Sequence, residues 1–147
     1  MKGILLRFEK DVKHATDVVG LGLYSAYFSD EFNLYQGDLH IPPDEDKKLI
    51  KNKKKTGIVE TFGNFYFGFS DYRQIRRWMY DDGIFDSLQA EGFYLGIYYG
   101  DIVKGNTQAM IQNNSNLKLI KKVPAHAVAR KVKKIPYFGA IDPRNSN

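Results

Sequence analysis

Arg73, Arg76 and Arg77 follow an aromatic run and a polar turn in FYFGFSDYRQIRRWMYDD, residues 65–82. Guanidinium groups this close together offer planar, permanently charged forks that suit carboxylates and phosphates. Two lysine clusters add to them: KKLIKNKKK (Lys47 to Lys55) and KLIKKVPAHAVARKVKK (Lys118 to Lys134). The formal net charge is +5 and unevenly placed. Such patches attract nucleic acid or an acidic protein, while the plainer alternative is solvated lysines that keep the chain soluble. The candidate partner-binding side chains are therefore Arg73, Arg76, Arg77, Lys53, Lys54, Lys55, Lys131, Lys133 and Lys134.

Other chemistry is excluded. There is no cysteine, hence no disulfide, thiolate metal site or cysteine nucleophile. The phosphate-loop pattern, the H-E-x-x-H zinc pair and the G-x-S-x-G elbow are absent. His14, His40 and His126 lack metal-ligand spacing, and Asp44, Glu45 and Asp46 lack the calcium-loop pattern; no metal is expected. No apolar stretch approaches a membrane span and the signal-peptide pattern is missing, so the expectation is a soluble protein of the cytoplasm.

The positioning elements follow from pattern. At 147 residues the chain suits one domain, residues 1–147. GILLRF (3–8) reads as a first strand, and LYSAYF (23–28) as a short strand or helical turn. Residues 29–56 form a mobile excursion, the natural place for a lid; its Pro42-Pro43 pair blocks a helix across it, although PDEDKKLIKNKKK is compatible with a short one. GIVETFGNFYFGF (57–69) reads as a hairpin about Gly63-Asn64. Ser70 is placed to cap a helix carrying Tyr72, Ile75, Trp78 and Met79 on one face. DDGIFDSLQAEG makes a second helix with Ile84, Phe85 and Leu88 inward and Gly92 at its C-terminal end. FYLGIYYG (93–100) alternates as a strand, and TQAMIQ (107–112) with LKLIKKV (117–123) reads as a hairpin across NNSN. The tail from Pro124 has no firm periodicity and is expected to fray from about 138. Strands and helices without regular βαβ alternation indicate an α+β fold with a largely antiparallel sheet and two or three short helices.

Glycines in or beside strands, including Gly57, Gly63, Gly68, Gly96 and Gly105, mark either close approach of a ligand or a packing gap. The aromatic strand could stack bases, but the ribonucleoprotein consensus is missing. It reads better as half core.

Three segments carry a resemblance: a first strand with a basic residue (LLRFEK), a middle strand running into a helix (YFGFSDYRQIRRWM), and a late strand with a polar side chain (DIVKGNTQAMI). Their order resembles the ADP-ribosyltransferase superfamily, α+β folds that bind NAD in a cleft. The resemblance implies that Arg7 contacts the cofactor, that Tyr66 and Ser70 line the nicotinamide, and that Gln108 holds the catalytic position. The family has glutamate there. An amide keeps hydrogen bonding but loses the charge that stabilises an oxocarbenium-like centre, so the resemblance implies a nucleotide-holding pseudo-enzyme as readily as an enzyme. GFSDYRQIRRWM with GFYLGIYYGDIVKGNTQAMI is also similar to small phage-encoded proteins of unassigned function. The expectation is a phage accessory protein, of the host-takeover or anti-defence kind, that binds a host protein or nucleotide. The alternatives are an ADP-ribosyltransferase-like protein using NAD and a nucleic-acid binder using its lysines.

Overall fold

The apolar run near the start alternates around Arg7 and becomes a strand covered on both faces, β1 (Lys2–Lys10). The computed structural model describes residues 1–11, 21–22, 43–59, 61–79 and 83–136. The expectations for 23–28, for 29–42, for His14 and His40, and for the tail from 138 lie outside these residues. Along the chain β1 is followed by the short β2 (Leu21–Gly22), α1 (Lys47–Thr56), β3 (Phe65–Gly68), α2 (Tyr72–Trp78) and α3 (Gly83–Ala90). Then come β4 (Tyr94–Lys104), β5 (Ala109–Gln112), β6 (Lys118–Pro124) and α4 (Ala125–Val132).

Among the described residues every strand pairing is antiparallel, in line with the expected α+β class. β1 pairs with β4 from Lys2↔Asp101 to Glu9↔Tyr94. The other edge of β4 is shared: its first part takes β6 and its last part takes β5. β3 adds to β5, and the chain just after it turns back to β1, where Phe69 and Leu6 exchange two backbone hydrogen bonds of 2.7 Å. Gly68 allows this approach, because a Cβ there would run into the Leu6 carbonyl.

Both faces of the curled sheet are buried. Leu6, Phe8 and Leu95 meet Ile75 and Trp78 of α2, Phe85 and Leu88 of α3, and Val128 and Val132 of α4. Phe69 stands edge-on to Trp78 at 5.6 Å. Inside the curl lie Leu5, Tyr98, Ile102, Ala109 and Ile111. A third cluster, Leu49, Phe65, Val103 and Met110, sits under α1.

Several expectations are corrected. GIVETFGNFYFGF is no hairpin: residues 62–64 form one 3₁₀ turn and β3 pairs with β5. Ile58 and Phe62 pack against the Leu49 cluster. β5 and β6 do not pair with each other; each finds a longer partner in β4. α1 falls where PDEDKKLIKNKKK allowed a short helix, and it is anchored by the fully buried Leu49. The start of the tail is helical, burying Ala125, Val128, Ala129 and Val132, a spacing that makes one helical face. α3 ends as expected: Gly92 has φ +84°, its N–H reaches Gln89 O, and Phe93 N–H reaches Leu88 O, the paired bonds of a Schellman end.

The NNSN segment is held by Asp101. Its carboxylate accepts hydrogen bonds from Asn114 (2.9 Å) and Asn116 (3.0 Å) and pairs with Lys2 at 2.8 Å. The Asn116 bond, then Lys2, then Asn114 hold this carboxyl well below the ordinary aspartate value of 3.8. A folded-state value below the unfolded one adds stability above the unfolded value, and that stability is lost as pH falls through the folded one. Thermal unfolding followed by circular dichroism from pH 7 to pH 3 should therefore show a shallower acid-side loss for Asp101→Asn than for the wild type. Parallel pH curves would refute the role given to this carboxylate.

Candidate functional site

Asp71 starts α2: its Oδ1 accepts the Gln74 N–H at 2.9 Å. The helix cap is thus Asp71 and not Ser70, because Asp71 is the residue three positions before the free N–H it satisfies. Gln74 works in two directions. Its Oε1 accepts the Ser70 N–H at 2.8 Å, and its Nε2 donates to Gly105 O in the β4–β5 turn at 3.1 Å. D-x-x-Q is a capping-box pattern, and here it also fixes α2 to that turn.

From the other side the turn is held by Asp46. This fully buried carboxylate accepts from the N–H groups of Leu49, Asn106 and Thr107 and from the Thr107 hydroxyl, each at 3.1 Å. It caps α1 and grips the turn at once. Asn52 of α1 adds a 2.7 Å bond to Lys104 O.

Between these anchors lies a cleft of about 370 Å³. Lys48 of α1, Arg73 and Arg77 of α2, and Lys104 at the end of β4 line it, and Asp71 is the one carboxylate among the described lining residues. Lys48, Arg73 and Lys104 are exposed and Arg77 is half-buried. Ser70 and Asn106 also line it. Among the described residues, basic side chains from three elements thus line one cleft beside an acid that already serves as a helix cap.

A second polar group lies on the sheet face that carries Leu5. Arg7 Nη1 donates to Phe67 O at 2.8 Å, its guanidinium lies 5.4 Å from the Tyr66 ring centre, and its Nε is 3.3 Å from Glu9 Oε2. The Tyr98 hydroxyl donates to Glu9 Oε1. The Glu9 side chain is wholly buried and that of Arg7 is 14% exposed. Burial pushes the Glu9 carboxyl up against the opposing effects of Tyr98 and Arg7, and burial lowers Arg7 against the attraction of Glu9. Nearby, Tyr94 donates to Asp11 at 2.8 Å, and Lys122 pairs with Asp11 at 3.3 Å while lying 4.7 Å from the Tyr94 ring centre.

The residues named for NAD are thus distributed. Arg7 and Tyr66 meet, Ser70 lines the basic cleft, and Gln108 is buried just before β5 with its carbonyl accepting the Gly105 N–H at 2.8 Å. Of the partner-binding candidates, Arg73 and Arg77 meet in the cleft. Arg76 is half-buried on α2, and Lys131 of α4 lies 5.1 Å from the Tyr72 ring centre. Lys133 and Lys134 are exposed just past α4. Lys53 donates to Ile58 O at 3.3 Å, and Lys54 and Lys55 are exposed along α1. Sequence reasoning passed over Lys104 and Glu9, took Lys48 only as part of the first lysine cluster, and took Asp46 only as part of an acidic run, whereas Asp46 is fully buried. The capping pattern D-x-x-L at Asp46 was the one local signal among them.

Among the described residues no group of side chains is placed to hold a metal, and no helix is long and apolar enough to cross a membrane. No curated protein and no solved structure matches the chain. The ADP-ribosyltransferase resemblance gains no support, whereas the resemblance to phage proteins does. A family model matches residues 1–126, which contain every cleft residue and leave out Lys131, Lys133 and Lys134. That match spans most of the sequence, and the chain belongs to the Bacteriophage T4 Y00F protein family.

Proposed function

We propose that this phage protein is an accessory factor that acts by binding an anionic host component through the basic cleft, without turnover. The observation that carries this reading is the convergence of Lys48, Arg73, Arg77 and Lys104 on one cleft. Basic side chains brought together from separate elements draw in partners of opposite sign. The anchors made by Gln74 and Asp46 hold the wall of the cleft in place before any partner arrives, which lowers the entropy cost of binding.

The test is capture from host lysate on immobilised protein, with the retained protein and small-molecule fractions identified by mass spectrometry. Wild type should retain a component that Arg73→Glu/Arg77→Glu loses by roughly tenfold or more, since reversing two contacting charges costs at least the equivalent of about 1.4 kcal/mol. Retention should also weaken with added salt. Equal capture by the variant, or catalytic consumption of the retained component, would overturn the reading.

A further inference from the structure

We infer that the outer face of α1 is a docking surface for the phosphate backbone of a nucleic-acid duplex, bound without regard to sequence. This goes beyond the cleft reading; of the lysines on the face, Lys48 also lines the cleft. At about 3.6 residues per turn, Lys47, Lys48, Lys51, Lys54 and Lys55 fall within an arc of about 120° and span about 12 Å of helix axis. All five are exposed. Lys51 stands at the centre, three or four residues from each of the others. The fully buried Leu49 lies on the opposite side, so the packing of α1 turns these lysines outward together. Lys47, Lys51, Lys54 and Lys55 also line one shallow surface depression with Ile50.

Helix stability accounts for part of this pattern. Lys54 and Lys55, in the last turn, suit the negative end of the helix. Lys47 and Lys48 do not: they occupy the first turn, which holds no acidic side chain and where the helix dipole disfavours cations. Lysines three or four residues apart also repel one another along the arc. A polyanion reverses both effects, because each ammonium then sits beside a phosphate.

The side-chain type selects the polyanion. Protein interfaces favour Arg and aromatic anchors and are depleted in Lys. A duplex carries one charge for about every 1.7 Å of its axis and rewards each lysine through counterion release. A lipid surface takes in an apolar helix face, but Leu49 is fully buried and Ile50 half-buried against the protein. Single strands are held by stacking on aromatic rings, whereas this arc is lysine throughout. Asn52, the one amide of the helix, donates to Lys104 O, and phosphate contacts carry no sequence information. The second lysine cluster forms no such face. Lys122 pairs with Asp11, Lys131 lies against Tyr72, and Lys118 and Lys121 stand on β6.

Fluorescence anisotropy of a short labelled duplex, titrated with the full chain between about 50 and 200 mM salt, tests this. Log affinity should fall with log salt at a slope of up to about −4.5, or about 0.9 for each lysine engaged. Lys51→Gln/Lys55→Gln should weaken binding by roughly tenfold or more at about 0.1 M salt and make the slope shallower by about 2. Glutamine is a good helix former and the change relieves repulsion, so this variant should melt no lower than wild type. Lys47→Gln/Lys54→Gln repeats the test with Lys51 in place and should act in the same direction. Lys118→Gln/Lys121→Gln removes the same charge from β6 and should leave the slope unchanged. The inference is overturned if no duplex binds at the lower salt, if both α1 variants keep the wild-type slope, or if the β6 variant loses as much as they do. It is equally overturned if affinity differs by about tenfold or more between duplexes of unrelated sequence. Tighter binding to single-stranded DNA, to phosphatidylserine vesicles or to polyglutamate than to duplex would also overturn it. Capture of the cleft's partner should survive Lys51→Gln/Lys55→Gln and depend on Arg73 and Arg77, so the two readings fail separately.

Discussion

Arg7→Met should destabilise the protein by about 3–5 kcal/mol at pH 7, the usual cost of stranding one member of a buried ion pair. The variant leaves Glu9 as a buried carboxylate without its counter-charge and leaves Phe67 O without its donor. Glu9→Gln strands the guanidinium instead, while still offering the Tyr98 hydroxyl an acceptor. In the double variant Arg7→Met/Glu9→Gln no charge remains to be solvated. Its cost should fall short of the sum of the two single costs by about 1–3 kcal/mol, the coupling expected for side chains in direct contact. Urea denaturation of the four proteins measures that cycle.

The pH dependence gives an independent reading of the same pair. Burial already pushes the Glu9 carboxyl up, and Arg7 is one of the groups pulling it down. Without Arg7 it must rise further. A carboxyl raised in the folded state contributes stability that is whole below its unfolded value and is lost as pH climbs through its folded value. Arg7→Met should therefore be closer to wild type near pH 4.5 than at pH 7. A loss under about 1 kcal/mol at pH 7, or one that does not vary with pH, would mean that the charges are not confined as the geometry indicates.

Asp46→Ala should cost roughly 3 kcal/mol or more, because it removes the acceptor of four donors on two elements. Each buried donor left without a partner costs about 1–3 kcal/mol, moderated where water can enter. Asp46→Asn should cost less, since one acceptor oxygen remains, but the amide hydrogens must then face the Thr107 groups. Hydrogen exchange should accelerate at the Asn106 and Thr107 amides in Asp46→Ala before it does so in the β1–β4 ladder. Binding at the cleft should weaken as well, since Lys48 and Lys104 stand on the two segments that Asp46 joins. A variant within about 1 kcal/mol of wild type, with unchanged exchange at the turn, would remove Asp46 from this role.

The two helices after β3 were readable because their signals are local. A capping side chain, an apolar face and a terminal glycine act within one or two turns, and each sits within a few residues of what it controls. The cap shifted by one residue, from Ser70 to Asp71, because both side chains are good acceptors and only the geometry of the Gln74 N–H chooses between them. α4 was passed over because two of its four inward residues, Ala125 and Ala129, are small and mark a face weakly beside the lysines around them. The strand partners were decided elsewhere. β5 and β6 look like a hairpin across NNSN, yet each gains more ladder by joining the eleven-residue β4.

Composition and local pattern by themselves established the α+β class, the positions of β1, α2, α3 and β4 and the basic character, and they singled out the arginines after Asp71 as candidates. They could not decide that Lys48 and Lys104 stand beside those arginines, or that Arg7 is tied to Glu9 inside the fold. Charge along a chain is a one-dimensional quantity, whereas a binding cleft depends on which distant segments are brought together. Here that was settled by two buried side chains, Asp46 and Gln74, whose hydrogen bonds join α1 and α2 to one short turn.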